Sequence, residues 1–387
     1  MKSKKNSINF FILFLICLGC LFSYKIFNNI QHFPNSYTHT DWLIHYHDGY
    51  IRRGLLGYIV IKFEDIFSIQ AKLSIFYLQT IIYILYLFLI FKLFKKFEFN
   101  IFFLSFLLFP LFIIYPIYEN EVLGRKEIFF LVSFQFFLTI LDKLKKNNCF
   151  VLILFIIFLN SLIHEAIVFY SFFFINIFFI NYNFIKKEKY FYLFIYFLII
   201  FLIVILSLFF NDQNSVNIMI ENLNLKYGLS AGSGALSWLS KDIFQQIILY
   251  NDNLNISHII RFLLVLIISI SPFYLFFLRN RKRYNFLNFN INLLINLFFL
   301  IILIIITLDW YRFFYIFFNF FLFSILHQSR NDKDLINNFF ICIRSYLKKN
   351  YFFIFFIVIF FYSWSPKLLF SDDIGSFPVL RIISKLF

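Results

Sequence analysis

Residues 143–189 read KLKKNNCFVLILFIIFLNSLIHEAIVFYSFFFINIFFINYNFIKKEK. Two apolar runs, at about 149–163 and 166–183, flank the polar stretch Asn160-Ser161-Leu162-Ile163-His164-Glu165. Lysine clusters bound the pair, Lys143/Lys145/Lys146 before it and Lys186/Lys187/Lys189 after it. Inside hydrocarbon every backbone amide must be satisfied within its own segment, so such runs read as helices crossing a core ~30 Å thick. Lysines at alternate connections mark the cytoplasmic side. The stretch is therefore expected to form a membrane hairpin with its lysines inside and His164-Glu165 at the outward end. Each run is short for a ~20-residue crossing, which leaves open one long tilted helix followed by a re-entrant segment.

The same alternation extends to both ends of the chain. Apolar runs fall at about 8–27, 71–94, 101–118, 128–142, 149–163, 166–183, 190–210, 258–278, 290–308, 313–327 and 351–364. Basic clusters occupy every second connection: Lys2/Lys4/Lys5, Lys95/Lys96, the two lysine groups above, Arg279 to Arg283, and Arg330 to Lys349. The expected fold class is an all-α polytopic transmembrane helical bundle of about 11 spans (10–12), one integral membrane domain over 1–387 with its N-terminus cytoplasmic. Long outward loops are expected at about 28–70 and 211–257, and a cytoplasmic loop at about 328–350. A composition of 61% hydrophobic and 14% charged residues is too apolar for a solvated surface. The lipid bilayer is thus the solvent, and the net charge of +15 reads as a topology signal rather than a nucleic-acid footprint. The 67 Phe fit the mutational bias of an AT-rich genome. The cysteines sit in or beside apolar runs without metal-ligand spacing, apart from the Cys17–Cys20 pair inside the first run, and read as small buried hydrophobes. The first run follows Met-Lys-Ser-Lys-Lys but lacks an A-x-A-like site, so it reads as an uncleaved span. Ser230 to Ala235 reads as a flexible loop, and 377–387 as a short surface helix.

Four outward connections carry the unusual polar residues. The first contains Asp41, His45, His47, Asp48 and Gly49-Tyr50-Ile51-Arg52-Arg53-Gly54. Adjacent arginines between glycines offer two guanidinium forks to phosphate or carboxylate while the glycines let backbone approach a ligand. A pair snorkelling to lipid headgroups is the plain alternative. His45, His47 and Asp48 have strand-like spacing, which is a weak metal-ligand pattern, and no metal or other cofactor is expected. The second connection, Glu119-Asn120-Glu121-Val122-Leu123-Gly124-Arg125-Lys126-Glu127, opens onto an apolar run. Arg125 and Lys126 suit a diphosphate, with Glu121 and Glu127 orienting them; a solvated loop is the alternative. In the third, His164 can accept and return a proton near neutral pH and Glu165 is a second candidate base. In the fourth, Asp309-Trp310-Tyr311-Arg312, the charges at i and i+3 either pair with each other or aim Arg312 at an anionic headgroup.

The segment Asn120-x-x-x-x-Arg125-Lys126-Glu127, then a span, a basic turn, another span and His164-Glu165-Ala166, resembles the EpsG-like, Wzy-type polysaccharide polymerases. The resemblance covers roughly residues 116–183, and the late turn with Arg312 matches an arginine turn of that family. Lys126 stands where the family has Gln, the Asn lies farther from the Arg, and Glu165 interrupts the His motif. The resemblance implies glycosyl transfer between undecaprenyl-diphosphate-linked oligosaccharides at the outer face of a bacterial inner membrane, for O-antigen, capsule or exopolysaccharide. It implies His164 or Glu165 as base, Arg52, Arg53, Arg125, Lys126 and Arg312 on the diphosphate, and Asp48 and Asp309 on substrate. A chain-length regulator would be a partner; no nucleic acid is expected. The rival is a GT-C glycosyltransferase with a polyprenyl-phosphate sugar donor and a first-loop acid, Asp41, Asp48 or Glu64-Asp65. A flippase or transporter would want mid-membrane charges, and Arg261 is one of few inside the expected spans.

Overall fold

The computed structural model describes residues 2–34, 37–95, 107, 111–119, 122–209, 213–229, 234–239, 241, 245, 248, 255–260, 262–264, 266–267, 286–307, 309–329, 365–366 and 375–376. The described chain is all-helical apart from a two-residue antiparallel pairing of Ser365–Pro366 with Gly375–Ser376. Four helices are long and apolar enough to cross a membrane: Ile8–Ile30, Ala71–Phe94, Lys146–Ile163 and Lys186–Ser207. Ile167–Asn181 and Leu294–Ile306 are shorter apolar helices. The expected span at 351–364, most of that at 258–278 and half of that at 101–118 lie outside the described residues, as does the 377–387 tail.

The chain divides into two compact units. One comprises Cys17–Lys92 and Leu123–Gln246. It contains the C-terminal half of α1 (Lys2–Ile30), then α2 (Tyr37–Trp42), α3 (Leu55–Phe67) and nearly all of α4 (Ala71–Phe94). A second run of helices follows: α5 (Ile128–Ile140), α6 (Lys146–Ile163), α7 (Ile167–Tyr170), α8 (Phe172–Asn181), α9 (Lys186–Phe209), α10 (Gln213–Tyr227) and α11 (Leu236–Leu239). The hairpin that opened the sequence reading has two arms. α6 stops because His164 is extended (φ −164°, ψ 123°), its N–H donating to Asn160 O at 2.8 Å. The chain then reverses: the Tyr182 hydroxyl, just beyond α8, donates to Leu144 O at 2.6 Å, beside the start of α6. A single long helix over 149–183 is excluded. Asn160 Nδ2 donates to Ser133 Oγ at 2.9 Å and ties α6 to α5, the kind of interhelical polar contact that substitutes for the missing hydrophobic drive in lipid. Lys146 pairs with Glu188 at 2.8 Å, and the Tyr192 hydroxyl donates to Asn147 Oδ1 at 2.7 Å. The lysine clusters at 143–146 and 186–189 therefore gather at one end of this unit, and residues 123–127 and 162–166 at the other.

At that second end the two loops expected to face outward fold on each other. Trp42, Leu43 and Ile44 are fully buried in a core with Leu56, Val60 and Ile61 of α3, Val216, Met219 and Leu223 of α10, and Leu236 and Leu239 of α11. Each such side chain taken from water contributes about 1.5–3 kcal/mol before its ordering cost. This explains why a loop that reads as Asn- and Ser-rich takes up fixed helices. Polar contacts fix the register: Ala235 N–H donates to Thr40 Oγ1 at 3.0 Å, Lys226 pairs with Glu64 at 2.8 Å, and the Tyr227 hydroxyl donates to Glu64. Gly57 is required where α3 crosses the backbone of Ile44, since a Cβ there would overlap the Ile44 carbonyl.

The other unit comprises Met1–Ile16, Leu93–Val122 and Ile247–Phe387. Its helix α13 (Trp310–Ser329) follows α12 (Phe286–Ile306) through a tight turn, closed by the Trp310 indole N–H donating to Ile304 O at 2.9 Å and Thr307 O at 3.0 Å. α13 is buried on every face up to His327, as an all-round apolar helix in a bundle interior must be. Asn319 Nδ2 donates to Leu111 O at 3.3 Å, and the Tyr315 and Tyr115 rings meet at 5.0 Å.

Candidate functional site

The site is built on the start of α5. Gly124 has φ +78°, a left-handed value that suits glycine. Its carbonyl accepts from the Trp42 indole at 2.6 Å and from Gln79 Nε2 at 3.0 Å. These two bonds, from the first outward loop and from α4, aim the next residues into the protein. The carbonyls of Arg125, Lys126 and Glu127 then accept the first N–H groups of α5, and all three side chains are buried.

Three carboxylates and three cations meet there. Lys126 is fully buried; its Nζ donates to Arg53 O at 2.8 Å and stands 3.7 Å from Asp41 Oδ1. Burial pulls the Lys126 ammonium below the usual lysine range, with Asp41 as the largest opposing influence. Arg53 is itself left-handed (φ +66°) without being glycine. Its guanidinium grips Glu165 in fork geometry, Nε donating to Oε1 and Oε2 at 2.9 and 2.8 Å and Nη2 to Oε1 at 2.5 Å. Arg52 Nη1 lies 3.7 Å from the same carboxylate, and its Nη2 donates to Trp238 O at 3.4 Å. Burial pushes the Glu165 carboxyl up, but Arg53, His164 and Arg52 together hold it well below the usual carboxylate range. His164 lies between two carboxylates, Nε2 3.5 Å from Glu127 Oε1 and Nδ1 3.6 Å from Glu165 Oε2. Its Nδ1 also accepts the Ala166 N–H at 3.2 Å, so the neutral ring carries its proton on Nε2, toward Glu127.

The arrangement is layered. Arg52, Arg53 and Glu165 side chains are 11–19% exposed, whereas Lys126, Asp41, Glu127 and His164 lie behind them at 0–4%. Chemically the outer layer can exchange its carboxylate for another anion, and the inner layer can accept a proton. Three sequence expectations change in detail. The glycines around the arginines make room for the protein's own groups: a Cβ on Gly54 would overlap the Tyr46 ring, and one on Gly49 would overlap Ser215. Lys126 holds the Arg53 backbone instead of facing outward. Glu165 is engaged by the Arg53 guanidinium in fork geometry instead of standing free.

Of the other expected residues, Arg125 is buried just before α5, its carbonyl accepting the Ile128 N–H at 3.4 Å. Asp48 accepts from Asn222 Nδ2 at 3.0 Å, which fastens the first loop to α10. Arg312 and Asp309 belong to the other unit and pair with each other at 2.8 Å, the i, i+3 alternative. Asn120, Glu121 and Arg261 lie outside the described residues. Two inner-layer carboxylates carry more than the sequence assigned them. Asp41 looked like one of several first-loop acids, and Glu127 an accessory to Arg125; only the fold brings them to Lys126 and His164. Among the described residues no three His, Cys, Asp or Glu are placed to hold a metal ion. Comparison of the chain with family models, with curated proteins and with solved structures returned no match in any of the three.

Proposed function

We propose that this protein transfers glycosyl groups between undecaprenyl-diphosphate-linked oligosaccharides at the outward face of a bacterial inner membrane, extending a surface polysaccharide. The observation that carries this reading is the layering just described: a partly exposed Arg52–Arg53 pair in front of a buried Glu127–His164 pair. The diphosphate of the donor takes the place of the Glu165 carboxylate on the arginine forks. An acceptor sugar hydroxyl attacks the donor's anomeric carbon. The new C–O bond forms as the bond to the diphosphate breaks, and the diphosphate leaves with that electron pair, its added charge held by Arg52 and Arg53. The hydroxyl proton passes to the Glu127–His164 pair, with Glu127 the accepting member because the His164 Nδ1 lone pair is engaged by Ala166.

The test is chain length. Arg53→Ala, Arg125→Ala and His164→Ala, each expressed at normal level, leave single lipid-linked repeat units and no long polymer. An undiminished ladder of lengths in these variants refutes the assignment. One observation favours the GT-C reading as the second: Asp41, a first-loop acid, is buried 3.7 Å from Lys126 inside the site. On that reading the donor is a polyprenyl-phosphate sugar, Asp41→Asn abolishes transfer, and the product gains one sugar without a ladder.

A further inference from the structure

Beside the arginine pair the first outward loop presents a continuous set of aromatic rings. Tyr46 and Tyr50 are stacked, 5.8 Å apart and within 8° of parallel. Tyr58 of α3 lies 6.3 Å from Tyr46, tilted by 39°, and the His47 ring stands edge-on to Tyr58 at 6.0 Å. Tyr50 and Tyr58 are 39% and 37% exposed, beside the buried core of Trp42, Leu43 and Ile44. The set runs into the site at its inner end. The Tyr46 hydroxyl donates to Leu162 O at 3.2 Å, two residues before His164. Burial and then the Glu165 carboxylate push the Tyr50 phenol up, so Tyr50 lies within electrostatic reach of the carboxylate that holds Arg53. Gly54, next to Arg53, is what lets the Tyr46 ring lie against the backbone.

We propose that Tyr46, Tyr50 and Tyr58 form a saccharide platform, which takes the sugar part of a ligand whose anionic end lies on Arg52 and Arg53. The proposal rests on the function proposed above only for that anionic end. A pyranose presents an apolar C–H face and a rim of hydroxyls. Flat phenol rings match the face, while the phenol hydroxyls, the His47 imidazole and the Lys62 ammonium, 5.7 Å from the Tyr58 ring centre, supply donors and acceptors for the rim. A hydrocarbon chain laid on the same rings would strip water from those polar edges without replacing it.

Purified full-length protein in lipid nanodiscs is titrated with two probes. The first is lipid-free oligosaccharide of one to three repeat units cut from the producing cells' own surface polysaccharide; the second is farnesyl diphosphate. Tyr50→Ala and Tyr58→Ala each weaken oligosaccharide binding roughly fivefold to tenfold, Tyr50→Phe keeps it within about twofold, and all three bind farnesyl diphosphate as the wild type does, which also reports that they are folded. Oligosaccharide that fails to bind the wild type, or binds the two alanine variants as tightly as the wild type, overturns the platform. Farnesyl diphosphate that fails to bind the wild type, with tyrosine-dependent oligosaccharide binding intact, leaves the platform standing and overturns the glycosyl-transfer reading.

Discussion

Replacing Glu165 by Gln removes the carboxylate that Arg53 grips with three contacts of 2.5–2.9 Å. Two unit charges about 4 Å apart attract by roughly 4 kcal/mol at an effective dielectric of about 20. Both side chains are 19% exposed, so water screens part of this attraction and desolvation offsets more. The coupling expected between Arg53 and Glu165 is then about 2–3 kcal/mol. A double-mutant cycle of Glu165→Gln and Arg53→Gln measures it, with unfolding in mixed micelles driven by sodium dodecyl sulfate and followed by intrinsic tryptophan fluorescence. The cycle separates the pair from the general cost of either substitution, since the loss of the Glu165 contact to Arg52 enters both variants that carry Glu165→Gln and cancels. The pH dependence adds an independent readout. The Glu165 carboxyl titrates in the fold well below its ordinary value of 4.5, so the unfolded chain takes up that proton first. The pair's contribution is complete above about pH 4.5 and lost as pH falls further toward the folded value; Glu165→Gln removes that loss. A coupling energy within about 0.5 kcal/mol of zero, or an acid transition unchanged by Glu165→Gln, refutes the account of how the arginine fork is held.

Two further outcomes follow from the burial of single groups. Lys126→Met deprives the Arg53 carbonyl of its donor and leaves Asp41 buried without its cation, and is expected to destabilise by about 3–5 kcal/mol, most of it recovered when Asp41→Leu is added; the same micelle titration measures both variants. Burial lowers His45 from 6.5 to about 4 against the opposing pull of Asp48, so the folded ring stays neutral where the unfolded one is charged. Stability should fall as pH drops from 6.5 to about 4, by up to about 3 kcal/mol from this group, and His45→Leu should flatten that part of the curve.

The hairpin over 143–189 was legible because three signals coincide along a short stretch: lysines at the ends, apolar runs between them, and His164-Glu165 in the middle. Those signals act within single helices or adjacent connections, and so survive in a linear reading. The association of Thr40 to Gly57 with α10 and α11 was not legible. Val216, Met219 and Leu223 are spaced for one helix face, yet nothing in residues 211–257 says that the face covers Trp42 and Ile44. The same limit applies inside the site. Arg52, Arg53, Lys126, His164 and Glu165 stand out as charges among apolar residues, but their division into an outer fork and an inner proton-accepting layer depends on burial. Lys126 looks from sequence like Arg125, its neighbour, as a cation for a diphosphate; the fold turns its ammonium onto a backbone carbonyl. Glycines carry the same ambiguity, since a close approach by ligand and one by the protein's own Tyr46 demand the same missing Cβ.

Thr40 and Ala235, joined by a hydrogen bond in the outward core, are 195 residues apart in the chain. Synthesis proceeds at about 5–20 residues per second, so on the order of 10–40 seconds separate the arrival of the two halves. Throughout that interval Trp42, Leu43 and Ile44 are without the cover that α10 and α11 give them. The arginine fork cannot be finished either, because Arg52 donates to the carbonyl of Trp238 in the late half. A chain halted before α10 would therefore carry every charged residue of the site and yet present an unfinished, apolar surface; the arginine fork is completed only when α11 arrives.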